Sequence, residues 1–312
     1  MSQNADTRYL RMMMRKKQWI ALSFLVIILM LSVAYTYNKL KRNKEISGFL
    51  QSPETKEVSG IAASGIFDNL YYIHNDSGDT SRFFAITPKG NLVSTFYFQK
   101  EKETPAKQLD CEDIAVGKGP KAGKSYVYLG DIGDNFYQRS YLTIYRFEEK
   151  KSWISNPVNQ VAAAQLRVSY PDGRTDAETM MVDPVQNLLY IVNKRTDTIH
   201  VYTTPLIFKN NEKRVLTLRS KIHFSGYKPV KYITSGDISK DGRKILLKSY
   251  GKVYYWERSG NEPVWETLKR KPIEPHYDLQ RQGEAIGFTP DGEGYYCTSE
   301  GSFAAIYYYN TP

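Results

Sequence analysis

The residues of this chain best suited to chemistry are carboxylates, and they recur in register. Five segments, "EVSGIAAS" from Glu57, "DCEDIAVG" from Asp110, "DAETMMVD" from Asp176, "TSGDISKD" from Thr234 and "QGEAIGFT" from Gln282, share one pattern. Each has a small or acidic residue, an apolar residue about two positions on, and then a polar turn. Each is followed by an apolar stretch that ends in polar residues: "NLYYIHND", "SYVYLGDI", "NLLYIVNK", "RKILLKSY" and "GYYCTSEG". The acids collected in this way are Asp76, Glu112, Asp131, Asp134, Glu178, Glu284 and Glu300, and the bases are His74, Lys194, Arg195 and Lys248. Oxygen donors with no Cys or His cluster suit Ca²⁺ or Mg²⁺ rather than zinc. The acids are therefore expected to hold a divalent cation, Ca²⁺ foremost, and the bases a polar or anionic ligand. In "YLGDIGDN", Gly130 and Gly133 would let the backbone turn its carbonyls toward the ion. Two other readings stand beside this one. Any one acid can be a turn former paired with Lys194, Arg195 or Lys248, and a lone His after an apolar strand is more often structural than basic.

The elements that would bring these residues together are short strands. After each pair above comes a third strand, "RFFAITPKG", "LTIYRFEEK", "TIHVYTTP", "KVYYWERSG" or "AAIYYYN". A fourth is readable in four units as "LVSTFYF", "AQLRVSY", "LRSKIHF" and "VWETLKR". Asn and Gly in the turns supply the positive φ that tight hairpins need. Four strands repeating every 50–65 residues predict an all-β fold, a β-propeller of five blades, with six as the alternative. The last unit lacks a fourth strand, and "ISGFLQS", Ile46 to Ser52, is expected to supply it and so close the ring. The innermost strand of a blade starts at the end where the second strand finishes, so the acids and bases should meet at one channel mouth. The expected arrangement is an acidic half from blades one, two and five facing a basic half from blades three and four, with Asp237 in the fourth sector. The tyrosine clusters read as packing between blades.

Charge and hydropathy set the chain apart from nucleic-acid binders. The net charge is +10. Residues 1–44 hold nine Lys and Arg against Asp6 alone, which leaves 34 basic and 32 acidic residues in the other 268. A nearly neutral body excludes a nucleic-acid partner. The basic residues bracket Gln18 to Asn38, which has no charged residue and is long enough to span a bilayer. The expected organisation is a basic tail (1–17), a transmembrane signal-anchor (18–38), a basic linker (39–45) and a propeller (46–312). A buried core helix is one alternative. A cleaved signal peptide ending near Ser32-Val33-Ala34 is another. The balance of five basic residues before the helix and four after it gives a cytoplasmic N-terminus and an extracytoplasmic propeller on the cell membrane. Cys111 and Cys297 are the two cysteines, open to one long-range disulfide or to two isolated thiols.

The stretches "NDSGD" (75–79), "DCEDIAVG" (110–117), "YLGDIGDN" (128–135), "IYRFEE" (144–149), "YPDGRTDAETMMVDP" (170–184), "SGDISKDGRK" (235–244) and "QGEAIGFTPDGEGYYCTSEG" (282–301) resemble a group of bacterial exported β-propellers. At the superfamily level these are similar to calcium-dependent, phytase-like propellers. The resemblance implies a propeller and suggests Ca²⁺, resting on Glu112, Glu178 and Glu284, but it does not supply a full phytase ligand set. The resulting expectation is a membrane-anchored propeller that binds a divalent cation, a polar small molecule or a protein partner. The alternatives are a metal-dependent phosphoester or lactone hydrolase, with Glu112 or Glu178 as base, and a protein-interaction scaffold.

Overall fold

The computed structural model describes residues 3–42, 44–98 and 109–312; residues 1, 2 and 43 of the expected basic tail and linker lie outside them. The chain divides into two compact units, residues 1–45 and 46–312. The first is a single helix, Gln3–Arg42, about 60 Å long at 1.5 Å per residue. It contains the stretch Met13–Val33, apolar and long enough to cross a membrane.

The second unit is a five-bladed propeller. The first blade is built from Val58–Ala63, Tyr71–Asn75, Arg82–Ile86 and Leu92–Tyr97, and the second from Cys111–Gly117, Tyr126–Asp131, Leu142–Glu148 and Ala164–Ser169. The third comprises Ala177–Asp183, Leu188–Asn193, Thr198–Pro205 and Thr217–His223. The fourth has three strands, Ile233–Ile238, Lys244–Ser249 and Val253–Glu257, and the fifth has Gly283–Phe288, Gly294–Ser299 and Ala305–Asn310. The N-terminal strand Lys44–Phe49 pairs with Ala305–Asn310 and completes the fifth blade, the closure expected from the sequence. Short parallel strands extend two outer edges: Val158–Gln160 on the first blade and Glu212–Val215 on the second. Asn187 and Gly242, with φ of 55° and 76°, make the tight turns in the third and fourth blades.

The fourth blade differs from expectation. "VWETLKR" forms a helical turn, Val264–Thr267, instead of a strand. Pro263 presets the entry and its carbonyl accepts from Glu266 and Thr267. Val264 and Leu268, four residues apart, both bury in the core. Ile273 takes the vacant edge through two backbone bonds with Tyr255, both 2.9 Å.

Five apolar clusters, one at each seam between adjacent blades, make up the core. Tyrosines fill them as expected: Tyr295 stacks on Tyr309 and Tyr71 meets Tyr296 edge-on across the seam between the first and fifth blades. Polar staples complement the clusters. Asp113 accepts from the backbone N–H of Met180 and Asp237 from that of Phe288, each reaching into the next blade at 2.9 and 2.8 Å. Arg258 and Asp183 form a bidentate ion pair with no solvent exposure between the third and fourth blades. Ser235 Oγ donates to Asp113 Oδ1 at 3.1 Å, linking the fourth blade to the second across the channel. Cys111 and Cys297 are free buried thiols in the second and fifth blades, not a disulfide.

Candidate metal centre

One feature recurs in all five innermost strands. Each carries a bulge near its start, at Val58/Gly60, Cys111/Asp113, Ala177/Thr179, Ile233/Ser235 and Gly283/Ala285. Bulges re-aim side chains. The bulged residues are Ser59, Glu112, Glu178, Thr234 and Glu284, one per blade at the same end. Hydrogen bonds knit them together: Ser59 Oγ donates to the Glu112 carbonyl at 3.0 Å and to Glu284 Oε2 at 3.3 Å. Thr234 therefore holds the fourth sector. Asp237, placed there by the sequence, instead lies toward the opposite end, opposite Leu246, with both carboxylate oxygens on backbone N–H groups. The neutral Thr234 hid the true alignment.

Around this ring carboxylate oxygens converge in three groups, each within 4.8 Å: Glu112, Asp176 and Glu178; Asp76, Asp110 and Glu112; and Asp76, Glu284 and Glu300. Two oxygens bound at about 2.4 Å to one Ca²⁺ are at most about 4.8 Å apart, so each group has the reach to share an ion. Asp110 and Asp176 belong here although they lie outside the ligand set expected from sequence. Glu112 and Glu178 are almost completely buried. Burial, followed by the repulsion of Glu178, holds Glu112 well above the ordinary carboxylate range. Burial likewise raises Glu178, against the attraction of Lys194, and Glu300, whose neighbour Glu284 adds to the effect. Asp76 is pushed up to about 7 by burial.

The turn "YLGDIGDN" is held by contacts of its own. Asp131 accepts from the backbone N–H of Asp110 at 2.9 Å and pairs with Arg139 at 2.6 Å. Asp134 accepts from the N–H groups of Gln138 and Arg139. Neither enters a carboxylate group. They shape the loop that carries Gly133, which abuts the site: a Cβ there would stand 2.2 Å from Glu112 Oε1 and 2.5 Å from Asp110 Cγ. Gly133→Ala would press a Cβ onto these two carboxylates, so a cation held between them should bind about tenfold or more weakly, as when the groups behind a metal ligand are changed. Calcium titration calorimetry on the variant checks this.

Lys194 and Arg195 follow the second strand of the third blade and Lys248 lies in that of the fourth, the blades expected to carry the bases. Lys194 Nζ contacts Glu178 Oε1 at 2.5 Å and stands 5.3 Å from the Tyr250 ring centre. Arg195 pairs with Asp176 at 2.6 Å. Lys248 is buried against the carbonyls of Gly283 and Ser249, with its pKa drawn down to about 8 by burial. His74 is fully buried, its Nδ1 on the Asn75 carbonyl at 2.9 Å, and burial lowers its pKa to about 4. Two of the bases thus neutralise acids of the ring, the pairing that stood as the alternative in the sequence. Tyr250, whose hydroxyl donates to Glu284 Oε1 at 2.5 Å, was also missed. Asn75, in the sequon "NDS", is buried with its amide nitrogen donating to the Glu54 carbonyl and to Asp79.

Sheets and ring together define the class: a five-bladed β-propeller with a carboxylate-lined channel mouth and a bilayer-length N-terminal helix. No family model and no curated protein matches the chain. Solved structures similar to it include a luciferin-regenerating enzyme, at TM-score 0.44 and 9% identity over 84% of this chain and 95% of that one. A candidate 6-phosphogluconolactonase from Bacteroides uniformis matches at TM-score 0.39 and 12% identity, over 84% of this chain and 68% of that one.

Proposed function

We propose that this protein is a membrane-anchored, extracytoplasmic propeller whose acidic mouth binds a divalent cation, Ca²⁺ foremost. The observation that carries the reading is Glu178. Its side chain is buried, Oε1 takes Lys194, and Oε2 has no hydrogen-bond partner among the described residues. A buried acceptor left bare costs about 1–3 kcal/mol, more when charged. An ion shared with Glu112 and Asp176 would satisfy it. The all-oxygen donor set fits a hard cation. Glu112, Asp176 and Glu178 would hold the ion on one side, with Asp76 and Asp110 completing its surroundings. The cation would neutralise the carboxylates and fix the loops of at least three blades at the mouth.

The hydrolase alternative needs free bases to hold an anionic substrate beside the ion. Lys194 and Arg195 are each committed to a carboxylate and Lys248 is enclosed, which favours binding over turnover. Anchoring rests on Met13–Val33. Resistance to carbonate extraction supports it, and release of the chain into the supernatant opposes it.

The test of the cation site is thermal unfolding in excess EDTA and then in Ca²⁺. At 100 times Kd, a ligand that binds only the folded state adds about 2.7 kcal/mol. An upward shift of the midpoint that is absent in Glu178→Gln is expected. Equal midpoints with and without Ca²⁺, Mg²⁺ or Mn²⁺ would remove the proposal.

A further inference from the structure

The channel has a second mouth, where the innermost strands end. There a cavity of about 320 Å³ draws on all five blades through Ala63, Gly117, Pro184, Ser239 and Phe288. This volume is at the lower end of small-molecule sites. Its deeper wall is apolar, from Ala62, Val116, Val182, Ile238 and Phe288. Three lysines line it, Lys118, Lys124 and Lys240. Lys118 Nζ donates to the Pro184 carbonyl at 2.9 Å, which holds it across the seam between the second and third blades. Lys124 acts on Glu148, which already pairs with Lys121 at 2.7 Å. Lys240 makes no ion pair among the described residues. The one carboxylate lining the cavity, Asp237, has its oxygens on the N–H groups of Ile238 and Phe288, both at 2.8 Å. The nearby Glu149 faces inward, accepting from Ser64, Gly65 and Tyr72.

An apolar floor under a lysine rim suits one kind of guest. We propose that this mouth binds a small organic anion, an apolar body with a single carboxylate, sulfonate or phosphate group. The body would lie against Val116, Val182 and Phe288, and the anionic group would meet Lys118 and Lys240 where water is partly excluded and charge acts more strongly. The acidic mouth would repel the same molecule, so the two ends of the channel differ in the sign of the ligand they accept.

The probe is 1-naphthalenesulfonate, measured by equilibrium dialysis against the full chain in nanodiscs, with empty nanodiscs subtracted. One saturable site per chain is expected, and it should persist in EDTA. Lys118→Gln and Lys240→Gln should each weaken binding by about tenfold, the loss of one charge-assisted bond. Uncharged 1-naphthol should bind more weakly by at least as much. Ala63→Trp, which fills the cavity, should abolish binding. A variant's result is read only where its unfolding midpoint matches the parent, and the two lysine changes, at the rim, keep the test available if Ala63→Trp does not fold. Absence of saturable uptake, lysine variants that bind like the parent, or equal binding of 1-naphthol would overturn the proposal. Binding lost in EDTA would also overturn it, by moving the site to the acidic mouth, while leaving the cation reading intact.

Discussion

Arg258→Ala should destabilise the propeller by about 3–5 kcal/mol, the cost of leaving a buried charge without its partner. Arg258 Nη1 and Nη2 meet Asp183 Oδ1 and Oδ2 at 2.8 and 3.0 Å, with no exposure on either side chain. Arg258 also donates to the carbonyls of Glu262 and Gly242, so it ties the outer loop of the fourth blade to the end of the third blade's innermost strand. Removing it strands Asp183 in the seam, where only the Val185 N–H remains to it. Asp183→Leu combined with Arg258→Met should recover part of the loss, since no charge is then left buried. Urea unfolding of the single and double variants measures both effects. A loss below about 1 kcal/mol for the single change would place the pair in the range of solvated surface bridges instead.

The second large effect lies at ring closure. Leu50 is 1% exposed in the core between the first and fifth blades, and its N–H donates to the Ala304 carbonyl at 2.9 Å. Leu50→Ala should cost about 2–5 kcal/mol. Gly48 lies flat on the turn at Lys89: a Cβ would stand 2.3 Å from that carbonyl oxygen. Gly48→Val should therefore displace the closing strand without touching the acidic mouth. The fifth blade would then present Ala305–Asn310 as a bare edge, open to aggregation. Urea unfolding of Leu50→Ala, and limited proteolysis between residues 46 and 57 in Gly48→Val, check the two. Parent-like stability and resistance in both would mean that the ring holds without its N-terminal strand.

The blades were legible in the sequence because alternating apolar residues and Asn or Gly turns are local signals. The closing strand could be read because the fifth unit was one strand short. "VWETLKR" misled because its apolar spacing suits both a strand and a helical turn, and Pro263 with the buried pair Val264 and Leu268 decides for the turn. The bulges have no local signature, so the sector held by Thr234 was assigned to Asp237. The gathering of acids at one mouth followed from topology. Which acids converge did not: Asp131 and Asp134 stand beside the ring in sequence and serve the Arg139 loop, whereas Asp110 and Asp176 reach the ring. Side-chain direction at a strand end depends on the neighbouring blade, and that neighbour lies far away in sequence.

The central claim is that the ring of Glu112, Asp176 and Glu178 is a cation site. Calorimetric titration of the full chain in detergent with Ca²⁺, after EDTA treatment and exhaustive dialysis, tests it most directly. Saturable uptake is expected, weakened at least tenfold by Glu178→Gln and left nearly unchanged by Asp134→Asn in the neighbouring turn. No saturable heat with Ca²⁺, Mg²⁺ or Mn²⁺, or equal affinity in Glu178→Gln, would contradict it and leave the ring as a set of carboxylates held by protons, Lys194 and Arg195.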